Sequence, residues 1–123
     1  MNARDPLLPI QADEAQTLFD YAARVWDDEI VPALTTYIEI PAKSPMFDAE
    51  WHEHGHIDRV VADAAAWVER QRVAGLKLEV IRLEGRTPVI FFEVPATRPG
   101  GNDAGAETIC LYGHLDKQPE FNG

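Results

Sequence analysis

The sequence predicts an α/β domain. Three observations carry that reading. Apolar residues follow a helical spacing over Ala15 to Ile30 and again over Ile57 to Val68. After Gly75 the apolar period changes to two. A short continuous apolar run, Ile109 to Tyr112, then ends on Gly113. The expected order is two long helices, a β-hairpin and one further strand. Together they would form the opening part of a layered domain spanning residues 1–123.

Each element has its own local reason. Asp13, with Gln16 three residues on, resembles a capping box that starts the first helix. Ala15, Leu18, Phe19, Ala22, Val25, Trp26 and Ile30 then mark one helical face. Pro32 lacks an N–H and crowds the preceding turn, so a kink or interruption is expected there, with Ala33 to Ile40 continuing the helix. Two prolines make Ile40 to Asp48 a loop. A second helix is expected from Ala49 to Ala74, its apolar stripe running from Ile57 through Val60, Val61, Ala64, Ala65 and Trp67 to Val68. Gly75 is its expected stop. Residues 76–83 alternate as a half-buried strand, and Pro88 to Val94 follow as a second. Glu84-Gly85-Arg86 between them closes a hairpin. Pro95 to Glu107, rich in Pro, Gly and Ala, reads as an exposed, mobile loop. Thr108 to Tyr112 is expected to join the same sheet as a third strand, with Ile109 and Leu111 buried. Val60 and Trp67 are expected to face that sheet.

Composition narrows the function. The chain has 123 residues, 46% of them apolar, and a net charge of −10, which suits a globular protein. Its basic residues are scattered singly. Nucleic acids and anionic membranes both need clustered Lys and Arg, so neither is an expected partner. The amino terminus lacks an apolar signal core, and no stretch reaches membrane-spanning length, so the expected compartment is the cytoplasm. Cys110 is the single cysteine, which excludes an intrachain disulfide. Inside the apolar run it reads as a small core residue.

Two histidine groups carry possible chemistry. The run His52-Glu53-His54-Gly55-His56 matches the H-E-x-x-H pattern of zinc proteases. Zinc sites take three or four protein ligands, and no third one follows at a suitable spacing. Gly55 weakens the helical turn that the motif requires. The run therefore reads as a polar first turn. The second group is His114 with Asp116, just past the apolar run. Parallel α/β sheets place their chemistry there, beyond the carboxyl end of a strand. In extended chain the period of two puts both side chains on one face. A carboxylate beside an imidazole holds one ring N–H and leaves the other nitrogen for a metal. From the residues alone, a metal ligand and a structural histidine remain equal alternatives. His56-Ile57-Asp58 has the same spacing, but on a helix such residues do not face each other.

Leu111-Tyr-Gly-His114-Leu-Asp116-Lys-Gln-Pro119 resembles the first metal-site motif of the co-catalytic dizinc peptidase and amidohydrolase family. Carnosine dipeptidase, glutamate carboxypeptidase, aminoacylase and succinyl-diaminopimelate desuccinylase are members. The upstream layout is similar too: a long helix ending in Tyr37-Ile-Glu-Ile-Pro-Ala-Lys-Ser-Pro45, a second helix, and a hairpin containing Thr87-Pro-Val-Ile-Phe-Phe-Glu-Val94. The resemblance implies that His114 is a zinc ligand and that Asp116 is the catalytic-site carboxylate clamping its imidazole. It implies a complete enzyme with two zinc ions, acting on peptides or N-acyl amino acids as a homodimer. The family's bridging aspartate, glutamate base and remaining ligands have no matching positions here. The chain thus reads as the amino-terminal piece of such a hydrolase, inactive by itself. The alternatives are a stand-alone acidic α/β binding or interaction module without catalysis, and a zinc protein that uses the His52/His56 pair.

Overall fold

A computed structural model describes residues 10–96 and 108–121. Most of the loop expected over Pro95 to Glu107 lies outside them. The described residues combine helices with a small antiparallel sheet, an α/β composition in the general sense. The chain divides into two compact units at the Glu39–Ile40 junction.

The first unit is helical. Helix α1 spans Ala12–Val25. Its cap is Gln11 and not Asp13. The Gln11 N–H donates to the Glu14 carboxylate at 3.3 Å, the reciprocal half of a capping box shifted two residues upstream. Asp13 falls inside the first turn, where a negative charge still favours the helix dipole. Gln16 supports the helix by donating to Asp20 at 2.8 Å, one turn on. The expected interruption takes the form of a wide π-turn, Trp26–Ile30, followed by α2, Val31–Glu39. The Val31 N–H reaches five residues back to the Trp26 carbonyl. The widened turn lies directly upstream of Pro32, whose ring would crowd the carbonyl four residues back, at Asp28. None of α1, the π-turn or α2 contains a buried residue.

The second unit holds the core. The expected long second helix is two helices, α3 (Trp51–His54) and α4 (His56–Arg70). Gly55 separates them at φ +69°, a left-handed conformation that ends α3 and that only glycine adopts without strain. Helix α4 also stops earlier than Ala74. Arg72 takes φ +52°, and its N–H bonds back to the Glu69 carbonyl at 3.1 Å. Gly75, at φ +75°, serves the turn into the sheet; a Cβ there would lie 2.8 Å from the Pro95 ring.

Strands β1 (Lys77–Ile81) and β2 (Val89–Glu93) pair antiparallel, with Lys77 opposite Glu93 and Ile81 opposite Val89. The hairpin matches the expectation, trimmed at its ends. Its turn is closed by the Arg86 N–H on the Leu83 carbonyl at 3.1 Å. Leu78, Val80 and Ile90 lie on its less exposed face. A two-stranded hairpin is marginal alone, and α4 packs against both strands. Ile57, Val60, Val61 and Ala65 form the buried stripe of α4, joined in the core by Ile40 and Ala42. Full burial of a side chain such as Val60 is worth about 1.5–3 kcal/mol. Trp67 is only half-buried.

The third strand is a correction. Among the described residues the sheet has two strands, and 108–112 has no regular structure. Ile109, Leu111 and Tyr112, of which the first two were expected in the core, are 86%, 89% and 92% exposed. Cys110 is exposed with them. An apolar run becomes a strand when its N–H and C=O groups find a neighbour, and none of the paired strands extends to this one.

Candidate functional site

His114 and Asp116 meet outside any helix or named strand. The imidazole Nδ1 lies 3.0 Å from the Asp116 carboxylate and 3.1 Å from the Asp116 backbone carbonyl. A carbonyl can only accept, so Nδ1 must carry the proton and donate. In the neutral ring Nε2 is then the nitrogen with the lone pair, on a side chain that is 67% exposed. In chemical terms this is an imidazole set up to bind a Lewis acid or accept a proton through Nε2.

A distant segment holds this pair in place. The Lys117 N–H donates to the Ala42 carbonyl at 2.9 Å, and the Ser44 N–H donates to the Lys117 carbonyl at 2.8 Å. Lys43 and Lys117 thereby form an isolated parallel bridge. The Lys117 ammonium also donates to the Ile40 carbonyl. Partial burial pushes that ammonium below the usual lysine range. Farther along, Lys43 pairs with Glu120 at 2.9 Å, and this bond holds the Glu120 carboxyl below its ordinary value. The 40–44 segment reads in sequence as a loop. Its role as a wall for the His114 segment depends on contacts between residues 77 apart, which no local pattern announces.

The other histidine run is divided. His52 lies on α3 and His56 opens α4, on either side of the left-handed Gly55. The middle histidine has the defined partners. His54 Nδ1 lies 2.8 Å from the Asp48 carboxylate, and Nε2 lies 3.6 Å from Glu50. The hydrogen bond that His54 donates to the Asp48 carboxylate, reinforced by the carboxylate's charge, raises the His54 pKa above the ordinary imidazole value. The same bond lowers that of Asp48. No local pattern in the sequence marks this pair, whose partners stand six residues apart with Asp48 just upstream of α3.

A shallow cleft of about 280 Å³ lies within the second unit, between α3, the start of α4 and the hairpin turn. Trp51, His52, Asp58, Arg82, Glu84 and Arg86 line it. Arg82 and Asp58 are joined there as an ion pair, which ties α4 to the end of β1. His114 does not line this cleft.

Among the described residues no three His, Cys, Asp or Glu side chains converge as a metal cluster, and no helix is long and apolar enough to cross a membrane. Of the residues assigned to chemistry, the fold brings His114 and Asp116 together and leaves His52 and His56 on separate helices. Compared with known protein families and with curated proteins, the chain has no match in either.

Proposed function

We propose that this chain contributes His114, oriented by Asp116, as one zinc ligand of a two-zinc hydrolase that cleaves peptide or N-acyl-amino-acid amide bonds. The observation that carries the reading is the orientation of the ring: Nδ1 faces two acceptors, and Nε2 is turned away from both. The resemblance of the Leu111–Pro119 stretch to a first metal-site motif supports it. The donor fits zinc, which takes neutral imidazole nitrogen readily. When bound, such a metal pair polarises the scissile carbonyl and lowers the pKa of a bound water. This chain's own part is limited to two acts. His114 offers Nε2, and Asp116 keeps the proton on Nδ1. The remaining ligands and the base belong, in this reading, to residues outside these 123. The complete enzyme would be a cytoplasmic homodimer.

Zinc titration of the purified chain, followed on the His114 ring nitrogens by NMR, tests the assignment. Weak binding that perturbs Nε2 is the expected result, because one protein ligand is far short of the three or four of a tight site. Zinc that perturbs other residues and leaves the His114 ring unchanged overturns it. The chain should show no turnover of dipeptides or N-acyl amino acids with zinc. Turnover that disappears in His114→Ala would refute the incomplete site.

A second reading has one observation of its own. The apolar face of α1, the π-turn and α2 exposes Leu18, Phe19, Trp26, Leu34 and Ile38 by 40–68%. Exposed apolar patches commonly mark interaction surfaces. On that reading the chain is an acidic interaction module.

A further inference from the structure

We propose that Lys117 is a positioning residue for His114, acting through the Asp116–Lys117 peptide group and the Ile40–Ser44 segment. The geometry runs in one line. The N–H of that peptide group donates to the Ala42 carbonyl at 2.9 Å. Its C=O, which is the Asp116 carbonyl, accepts from His114 Nδ1 at 3.1 Å. One planar unit therefore links the segment to the imidazole, and hydrogen bonds in such a chain polarise one another. The far end is firm. Ile40 is 2% exposed and Ala42 is fully buried, so both belong to the core.

Backbone pairing alone gives this link little support. It is a single isolated bridge, held by the Lys117 and Ser44 amides. The Lys117 side chain adds a third bond by placing its ammonium on the Ile40 carbonyl. That carbonyl already accepts from the Ala42 N–H at 2.8 Å, closing a tight turn. A charged donor on the same oxygen strengthens the turn that presents the Ala42 carbonyl, because charge-assisted bonds are the stronger kind. The lysine thus sets the position of the Asp116 carbonyl, which shares the Nδ1 proton of His114 with the Asp116 carboxylate 3.0 Å away and adds to the preference for that tautomer. The proposal rests on the reading of His114 as a ligand for its purpose only, since the tautomer exists without metal.

The test is NMR on the metal-free chain, comparing the unsubstituted protein with Lys117→Met and Lys117→Arg. In the unsubstituted chain the His114 ring should carry its proton on Nδ1. Lys117→Met keeps the aliphatic stem and removes the donor. It should raise the share of the Nε2–H form, since only the Asp116 carboxylate then holds the Nδ1 proton firmly, and speed exchange of the Ser44 and Lys117 amides about tenfold, with protection of the Val60 amide unchanged. Lys117→Arg should restore the Nδ1–H form. An Nε2–H ring in the unsubstituted chain overturns the proposal whatever the variants do. So do ring signals that Lys117→Met leaves unaltered, or that change only together with Val60 protection. If the tautomer behaves as expected while zinc never perturbs Nε2, the zinc reading fails and the positioning role stands.

Discussion

The helical run from Ala12 to Glu39 and the unit from Ile40 onward are built from the same kinds of pattern, yet they end differently. Helices α1 and α4 both carry an amphipathic stripe. In α4 the stripe becomes a core, with Ile57, Val60, Val61 and Ala65 buried in a helix that packs on the hairpin. In α1 and α2 no residue is buried, and Phe19 and Ile38 each remain 68% exposed. The first helix is held by local means. These are the Gln11–Glu14 cap, the Gln16–Asp20 pair and threonine hydroxyls bonded to carbonyls one turn back, as with Thr17 on Asp13 at 2.9 Å. The contrast teaches that an apolar period states what a helix can bury. A partner decides whether it does.

Substitutions sharpen the contrast. The largest effect is expected in the core. Ile57→Ala should lower the stability of the unit from Ile40 onward by about 2–5 kcal/mol, read from urea denaturation followed on its amides. A loss below about 1 kcal/mol would mean that this core is no more committed than the surface of α1.

A smaller, local effect should follow pH. His54 has its pKa raised by Asp48, and Asp48 has its own lowered. The histidine's contribution is complete below the ordinary imidazole value and fades as pH rises through the raised one. The carboxylate's is complete above its ordinary value and fades as pH falls through the lowered one. The loop from Ser44 to Glu50 should therefore be tied to α3 most firmly in mild acid. Its amides should exchange faster, relative to the core, on the alkaline side. Asp48→Asn should bring the His54 ring titration, followed by proton NMR, back toward that of an ordinary histidine. An unmoved titration would leave the pair without energetic meaning.

The smallest effect is expected at Leu18. It is 56% exposed, and Leu18→Ala should change thermal stability by less than about 0.5 kcal/mol. A loss approaching that of Ile57→Ala would break the comparison, because it would require the stripe of α1 to be covered in solution.

The same contrast sorts what could be read from the sequence. The hairpin was legible because alternation over Leu76 to Leu83 and a glycine turn act within a few residues. The stripe of α4 was legible for the same reason. The break at Gly55 was half legible: the glycine was seen to weaken a turn, but its left-handed φ depends on how α3 and α4 leave it. The strand at 108–112 was misread, since an apolar run carries no record of its neighbours. At the candidate site, the pairing of His114 with Asp116 follows from a spacing of two. The support from Ile40, Ala42 and Ser44 does not, since it joins segments on either side of the hairpin.

The wide turn at Trp26–Ile30 has a consequence for the geometry of the first helix. At about 100° per residue, Leu34 and Ile38 on an unbroken α-helix would sit roughly 100° and 140° around the axis from Ala15. Leu18, Phe19, Ala22 and Trp26 all sit within roughly 60° of that line, so the downstream residues would be rotated off the stripe. A π-turn takes up one residue more than an α-turn. Subtracting that residue returns Leu34 to the line of Ala15 and Ile38 to that of Phe19. The turn is a phase correction of one residue, placed where a proline makes it easiest, and it lets two helices of different register present one continuous seam.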